Sequence, residues 1–213
     1  MKTLPLKVAS TDLELRPDRC LWWPEAQTLI ASDLHWGKVH TFQAAGVALP
    51  GALQIQDLIR LDRALEQTGA RRLLVLGDLV HSRQGMTPTL RKTIGDWRRS
   101  RPVRLVLVRG NHDRSAGKLP EEWEIEQVES LEEGPFRFVH EACDGPGYGW
   151  AGHLHPACTL RGRGDSLRLP CFVVGKTQGI LPAFSEFSGG AAPPRGAKLY
   201  AVAGDQVIPV AAA

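Results

Sequence analysis

The chain has 213 residues, of which 43% are hydrophobic, 23% charged and 7% aromatic, and its formal net charge is +3. These proportions are typical of a folded domain and exclude collagen-like, coiled-coil and disordered chains. Residues 1–213 are enough to bury one sizeable core, so we expect a single domain. No run of about 20 apolar residues is present, and Pro5 and Lys7 interrupt the amino end before a signal-peptide core forms. We therefore expect a cytoplasmic protein that does not contact membranes.

Basic and acidic residues are distributed unevenly along the chain. Residues 91–104 hold six basic side chains and one Asp, whereas residues 121–133 hold seven Glu and no basic residue. The basic segment has two interpretations, an electropositive face that attracts an anionic partner or the solvated face of a helix. The four cysteines lack metal-binding spacings such as CxxC, and we expect them to be reduced thiols.

Short apolar segments alternate with helical patterns in the first half of the chain. One segment with apolar residues at helical spacing covers residues 51–67 and ends ahead of Gly69. A second begins at Thr87 and Pro88, which are favoured at a helix start, and Pro102 prevents its continuation. The predicted strands are residues 28–32, 72–76 and 103–108, followed after Gly134 by residues 136–140, 150–152, 168–174 and 198–203.

Alternating strands and helices indicate a parallel or mixed sheet, and ligands of such sheets bind beyond the carboxyl ends of the strands. Polar residues that suit metal coordination stand at these places. They are Asp33, His35, Asp78, Asn111, His112, His140, His153 and His155. Carboxylate, imidazole and amide ligands fit divalent ions such as Mn²⁺, Fe²⁺ or Zn²⁺. So many ligands imply two ions, and a carboxylate, for which Asp78 is the natural candidate, can bridge them.

The order of these motifs resembles the calcineurin-like metallophosphoesterase family. The motifs are DLH at 33–35, GDLVH at 77–81, GNHD at 110–113, His140, and GHLH at 152–155. The resemblance implies an α/β fold, an αββα sandwich of two mixed β-sheets flanked by helices. It also implies that Asp33, His35, Asp78 and His155 hold one metal ion, while Asp78, Asn111, His140 and His153 hold the other.

The same resemblance makes His112 the catalytic histidine, with Asp113 orienting its ring. The expected reaction is in-line attack of a metal-bound hydroxide on phosphorus, with His112 protonating the leaving oxygen. Many relatives continue the second motif as GDxxDRG, whereas this chain has His81, Ser82 and Arg83. Phosphoprotein phosphatase activity is therefore not expected. Because imidazole titrates near neutral pH, His81 is a candidate either to contact a substrate oxygen or to act as a second proton donor.

More narrowly, GDLVHS at 77–82 and LPAFSEFSGG at 181–190 resemble the bacterial ligase-associated DNA damage response endonucleases. This resemblance implies a manganese-dependent phosphodiesterase that cuts single-stranded DNA in repair, beside a DNA ligase, a helicase and an exonuclease. One alternative is a phosphoesterase of the same fold that acts on nucleotides or cyclic nucleotides. Another is a non-catalytic, protein-binding scaffold.

Trp36, next to His35, is a candidate to stack on bases.

Overall fold

The computed structural model describes residues 1–162 and 164–210. These residues fold into two β-sheets and four α-helices, which are joined by loops. The first sheet contains β1 (Leu4–Val8), β2 (Thr11–Leu15), β3 (Leu21–Trp23), β4 (Thr28–Ala31), β5 (Arg72–Leu76), β6 (Arg104–Val108) and β7 (Ile125–Val128). The second contains β8 (Leu131–Glu133), β9 (Phe136–Phe138), β10 (Tyr148–Ala151), β11 (Ala157–Arg161), β12 (Ser166–Val174), β13 (Gln178–Ile180), β14 (Lys198–Ala203) and β15 (Gln206–Val210). The helices are α1 (Lys38–Ala44), α2 (Ala52–Thr68), α3 (Pro88–Ser100) and α4 (Asn111–Ala116).

The first sheet keeps its strands in chain order. Strands β1 to β4 pair antiparallel, and β4 to β7 pair parallel. The parallel half brings the carboxyl ends of β4, β5 and β6 to one edge, where the first three polar motifs begin. In the second sheet the order is β15, β14, β12, β13, β10, β9, β8, with β11 added on β12, and its β9, β10 and β13 are parallel.

The helix ends follow their sequence signals. Thr87 caps α3, since its side chain accepts a hydrogen bond from the Leu90 N–H over 3.2 Å, and Pro88 occupies the first turn. α2 ends at Gly69, whose φ of 63° lies in the left-handed region that glycine tolerates. The predicted helices and the strands at residues 72–76 and 198–203 are confirmed.

Apolar side chains fill two layers, one on each face of the first sheet. Successive residues of β5 point to opposite faces, so Leu73 and Val75 pack beneath the helices, while Leu74 and Leu76 pack against the second sheet. The expected pair of mixed sheets with flanking helices is confirmed. A smaller cluster on the second sheet consists of strand residues, among them Cys158, Cys171 and Ala201.

The basic segment does not form an open electropositive face. Arg98 is buried in α3 and donates to the carbonyl oxygens of Val103 and Trp123, at 2.8 Å each. The other five basic side chains are engaged as follows: Lys92 and Arg99 with Asp96, Arg101 with Asp62 and Glu66, Arg104 with Glu126, and Arg91 with the Met86 carbonyl. The segment is therefore a helix face held by ion pairs, the second of the two interpretations.

All four cysteines are free thiols.

Candidate metal centre

Backbone hydrogen bonds hold the first two motifs side by side. Beyond the ends of β4 and β5, the Asp33 N–H donates to the Gly77 carbonyl over 3.0 Å, and the His35 N–H donates to the Asp78 carbonyl over 2.9 Å. The parallel pairing of the strands thus continues into the loops. The side chains of Asp33, His35 and Asp78 are buried at this edge.

The second sheet delivers the remaining imidazoles to the same place. His140 follows β9, and His153 and His155 follow the neighbouring strand β10. The His153 N–H donates to Asp33 Oδ2 over 3.0 Å, which links the edges of the two sheets. The site is therefore assembled from both sheets, and Asp33 and His153 are 120 positions apart in the chain.

One group of ligand atoms consists of Asp33, His35 and His155, whose nitrogen and oxygen atoms lie within 4.8 Å of one another. His35 Nε2 is 3.3 Å from His155 Nε2, which is 3.2 Å from Asp33 Oδ1. Burial lowers the pKa of His35 far below its usual value, so its ring is neutral and has a lone pair available for coordination.

A second group consists of Asp78, His140 and His153. His140 Nδ1 lies 2.9 Å from the Leu76 carbonyl oxygen, and because a carbonyl only accepts hydrogen bonds, this nitrogen carries the proton. The other ring nitrogen, Nε2, faces Asn111 Oδ1 at 3.0 Å and Asp78 Oδ1 at 3.5 Å. His153 Nδ1 is 3.1 Å from the same His140 nitrogen.

These donors fit divalent cations. Unprotonated nitrogen and oxygen acceptors that face one another over such short distances repel unless a cation or a proton lies between them. The His140–Leu76 contact is the kind of outer hydrogen bond that orients a metal-binding imidazole. The set of carboxylate, imidazole and amide donors suits Mn²⁺, Fe²⁺ or Zn²⁺. All seven predicted metal ligands are brought together in the two groups, with Asn111 joining the second.

Five of these seven residues have left-handed backbone conformations. Their φ angles are 55° at Asp33, 49° at His35, 51° at Asp78, 66° at His153 and 50° at His155. Such a conformation costs about 1–2 kcal/mol per residue for side chains other than glycine. Strain of this kind persists where the surrounding structure imposes it, typically at functional sites.

Residues 26–205 match the family model for calcineurin-like phosphoesterases. The chain belongs to the calcineurin-like phosphoesterase family. Members of this metallophosphoesterase family are hydrolases that use divalent metals, which agrees with the donor groups described above. A comparison with curated proteins finds no match.

The structure is also similar to the solved structure of a nuclease. The crystal structure of the Pseudomonas putida nuclease MPE superposes with a TM-score of 0.86 and is 36% identical, covering 98% of this chain and 100% of that chain. The Escherichia coli phosphoesterase Yfce is 16% identical, with a TM-score of 0.40 over 85% of this chain and 96% of that chain.

In this member of the phosphoesterase family, the backbone of His81 orients the ring of His112. His112 Nδ1 lies 2.7 Å from the His81 carbonyl oxygen, so Nδ1 carries a proton and Nε2 points toward the metal groups, 3.9 Å from Asp78 Oδ2. The His112 N–H donates to Asp78 Oδ1 over 2.9 Å. The two imidazole rings stack with centroids 4.7 Å apart.

Asp113 has a different role from the one expected. Its buried carboxylate accepts hydrogen bonds from the Gly110 N–H over 2.9 Å and the Val80 N–H over 3.1 Å, and it is not what orients the ring of His112. The residue fixes the start of α4 and ties the third motif to the second. Burial raises the pKa of this carboxyl.

Two further expectations are corrected by burial. The pKa of His81 is lowered to about 4 by burial and by the neighbouring His112, so His81 is neutral near pH 7 and is a poor proton donor there. Trp36 is only 1% exposed and packs edge-on against Trp97 and Trp123, so it does not stack on bases.

Lys38 is a cation of the site that sequence reasoning missed. It begins α1 three residues after His35, and it is partly buried. Burial lowers the pKa of Lys38, while the charges of Asp33 and Asp78 oppose that shift, which places the ammonium group within electrostatic reach of both carboxylates. A basic residue so soon after the first motif was the available signal.

Among the described residues, no helix has both the length and the apolar character needed to cross a membrane.

Proposed function

We propose that this protein is a two-metal phosphodiesterase that cuts single-stranded DNA internally and acts in DNA repair, with Mn²⁺ as its resident ion. The main support is the presence of two adjacent donor groups, Asp33–His35–His155 and Asp78–His140–His153. In addition, the chain is 36% identical over nearly its whole length to a nuclease. Two neighbouring divalent ions are the usual means of hydrolysing phosphate diesters.

The placement of the candidate ligands supports the roles that we propose for them. Asp33, His35 and His155 would hold one ion, and Asn111, His140 and His153 the other. Asp78, which is buried and lies 3.5 Å from His140 Nε2, would bridge the two. When bound, such ions neutralise phosphate oxygens and lower the pKa of a water molecule to provide the nucleophile.

We assign to His112 the protonation of the leaving oxygen, and the contacts of its ring support this role. Its ring is held by the His81 carbonyl at Nδ1, while Nε2 is directed to the metal groups and remains partly accessible. A protonated imidazole donates from that nitrogen to an oxygen beside the donor groups. His81 supports the ring of His112 by stacking and supplies the orienting carbonyl.

The preference for single-stranded DNA, the use of Mn²⁺ and the role in repair rest on two supports. The structural neighbour is named a nuclease, and motifs at 77–82 and 181–190 resemble the ligase-associated endonucleases. Association with a DNA ligase, a helicase and an exonuclease is proposed on that resemblance alone.

Hydrolysis of a single-stranded DNA circle tests the proposal, because a circle has no ends for an exonuclease. We expect linear fragments with Mn²⁺ and none with chelator, with Mg²⁺ as the metal comparison. Asp78→Ala should abolish the reaction, and Asp96→Ala, which alters an exposed carboxylate on α3, should retain it. An intact circle together with rapid hydrolysis of nucleotides or cyclic nucleotides would overturn the DNA assignment in favour of a small-molecule phosphoesterase.

A further inference from the structure

A row of partly exposed rings leads away from the metal centre. The ring of His81, which stacks on His112, lies 6.1 Å from the ring of Phe42 in α1. Phe42 in turn meets Phe187 edge-on, with ring centroids 5.3 Å apart and an interplanar angle of 87°. Both phenylalanines are partly exposed, so part of their apolar surface faces solvent beside the site.

A cation accompanies these rings. Lys38 Nζ lies 5.8 Å from the centroid of the Phe187 ring, within the range of a cation–π contact. In the described part of the chain, Lys38 belongs to none of the ion pairs, which leaves its charge available to an anionic ligand. The same ammonium group is within electrostatic reach of the ligand carboxylates of Asp33 and Asp78.

The segment that carries Phe187 is fixed to the metal-binding loop. The Phe184 N–H donates to the Ser32 carbonyl over 2.8 Å, and the Ser185 N–H donates to the Asp33 carbonyl over 3.2 Å. Arg60 of α2 pairs with Glu186 over 2.6 Å. These contacts give Phe187 a supported position relative to the ligand Asp33, as a binding residue requires.

Partly exposed aromatic faces beside a cation are the combination that binds single-stranded nucleic acid, since bases stack on the rings and the cation contacts phosphate. We propose that Phe42 and Phe187 form a stacking platform, in which an unpaired base next to the phosphate that is cut stacks on the face of one ring and contacts the edge of the other, and that Lys38 contacts the adjoining phosphate. This inference rests on the proposed function, because it requires DNA at the metal centre. It explains a preference for single strands, since the faces of paired bases are covered by their neighbours in the duplex.

Two oligonucleotides separate base contacts from phosphate contacts. One is a 12-residue oligothymidylate, and the other is a 12-residue chain of tetrahydrofuran abasic units, which has the same phosphates and no bases. We expect the parent protein with Mn²⁺ to cut the first with a kcat/KM about 10-fold higher, in keeping with the strength of base stacking. Phe187→Leu and Phe42→Leu should each bring this ratio close to 1.

Three control variants distinguish stacking from general packing. Phe187→Trp should keep the ratio, because an indole ring also stacks. Ile59→Ala, which removes an exposed apolar side chain of α2, should leave it at the parent value. Lys38→Gln should lower kcat/KM for both substrates equally and weaken the salt dependence of binding, as expected for a phosphate contact. Thermal unfolding of each variant identifies any loss of folded protein, and the ratio is unaffected by such a loss.

The outcomes are distinct. A parent protein without preference for the oligothymidylate, or Phe187→Leu and Phe42→Leu variants that retain it, would overturn the stacking platform while the endonuclease assignment stands. A parent protein that cuts neither oligonucleotide would overturn the platform and the proposed function together.

Discussion

Gly110 lies directly against the carboxylate of Asp78. A β-carbon on Gly110 would fall 2.2 Å from Asp78 Oδ1 and 2.5 Å from the Asp78 backbone nitrogen, closer than real atoms approach. Gly77 stands in the same relation to His140, whose Nδ1 would be 2.0 Å from an added β-carbon. The glycines that precede Asp78 and Asn111 in their motifs therefore leave room for metal-binding side chains.

Gly110→Ala should displace the Asp78 carboxylate and weaken metal binding. We expect kcat/KM for diester hydrolysis to fall by about 100-fold, since small misplacements of a catalytic centre have effects of that size. The matched control is Gly95→Ala in α3, where the nearest atom to an added β-carbon is Arg99 Nη1 at 3.5 Å, an ordinary contact. Alanine at that helical position should raise the melting temperature. Parent-like Mn²⁺ affinity in Gly110→Ala, measured by titration calorimetry, would contradict this account.

Removing one imidazole from each donor group should reduce the number of bound ions. Calorimetric titration with Mn²⁺ is expected to give two ions per chain for the parent protein, and one for either His35→Ala or His140→Ala. His40→Ala is the control, because His40 lies in α1 and belongs to neither donor group. Two ions of parent affinity in His140→Ala would show that this residue is a structural histidine rather than a ligand.

Asp78→Asn should stabilise the metal-free protein near neutral pH. Burial raises the pKa of Asp78, with the charge of Asp33 adding to the shift and that of His140 opposing it, so the folded state holds this proton more tightly than the unfolded state. The resulting stabilisation is complete below the unfolded pKa, near 3.9, and is lost as pH rises through the folded value. Asparagine stays neutral and tolerates the left-handed backbone.

We expect Asp78→Asn in chelator to melt at a higher temperature than the parent at pH 7.5. The difference should shrink toward pH 4. The variant should not hydrolyse diesters. A melting temperature below that of the parent at pH 7.5 would show that the carboxylate stabilises the fold without metal.

The sequence predicted those features that depend on local patterns. Strands β5 and β14 have the predicted ends because short apolar segments are bounded by polar residues or glycine, and the start of α3 follows from Thr87 and Pro88. The candidate metal ligands were predictable because each motif follows closely after a strand. Their assembly then depends only on parallel pairing and on the packing of two sheets.

Features that depend on distant contacts were not predictable. Trp36 adjoins His35, but the two side chains point to different sides of a loop whose backbone is left-handed at His35, with a φ of 49°. His35 consequently faces the donor groups while Trp36 packs against α3 through Trp97. The partners of Asp113 and the low pKa of His81 likewise arise from residues on other loops. The two strands at the amino end of the first sheet, β1 and β2, were not predicted either, because their apolar segments are short and interrupted by charges.

The basic segment should matter for folding rather than for DNA binding. Arg98→Met leaves the Val103 and Trp123 carbonyls without their donor, at a cost of about 1–3 kcal/mol in the free energy of unfolding. Arg99→Met removes the same charge from an exposed side chain and should change that free energy by less than about 0.5 kcal/mol. Urea unfolding measures both effects. A marked loss of affinity for single-stranded DNA in Arg99→Met, measured by fluorescence anisotropy, would instead restore an electropositive binding face.

His112 and His81 should differ in their effect on the chemical step. If His112 protonates the leaving oxygen, His112→Asn should lower kcat for DNA by about 10²–10⁴-fold. The loss should be much smaller for bis-(p-nitrophenyl) phosphate, because p-nitrophenolate leaves without a proton. Because the pKa of His81 is about 4, this ring is neutral throughout the working range, so His81→Asn should leave the shape of the pH–rate profile between pH 6 and 9 unchanged. Loss of the alkaline limb in His81→Asn, but not in His112→Asn, would identify His81 as the proton donor.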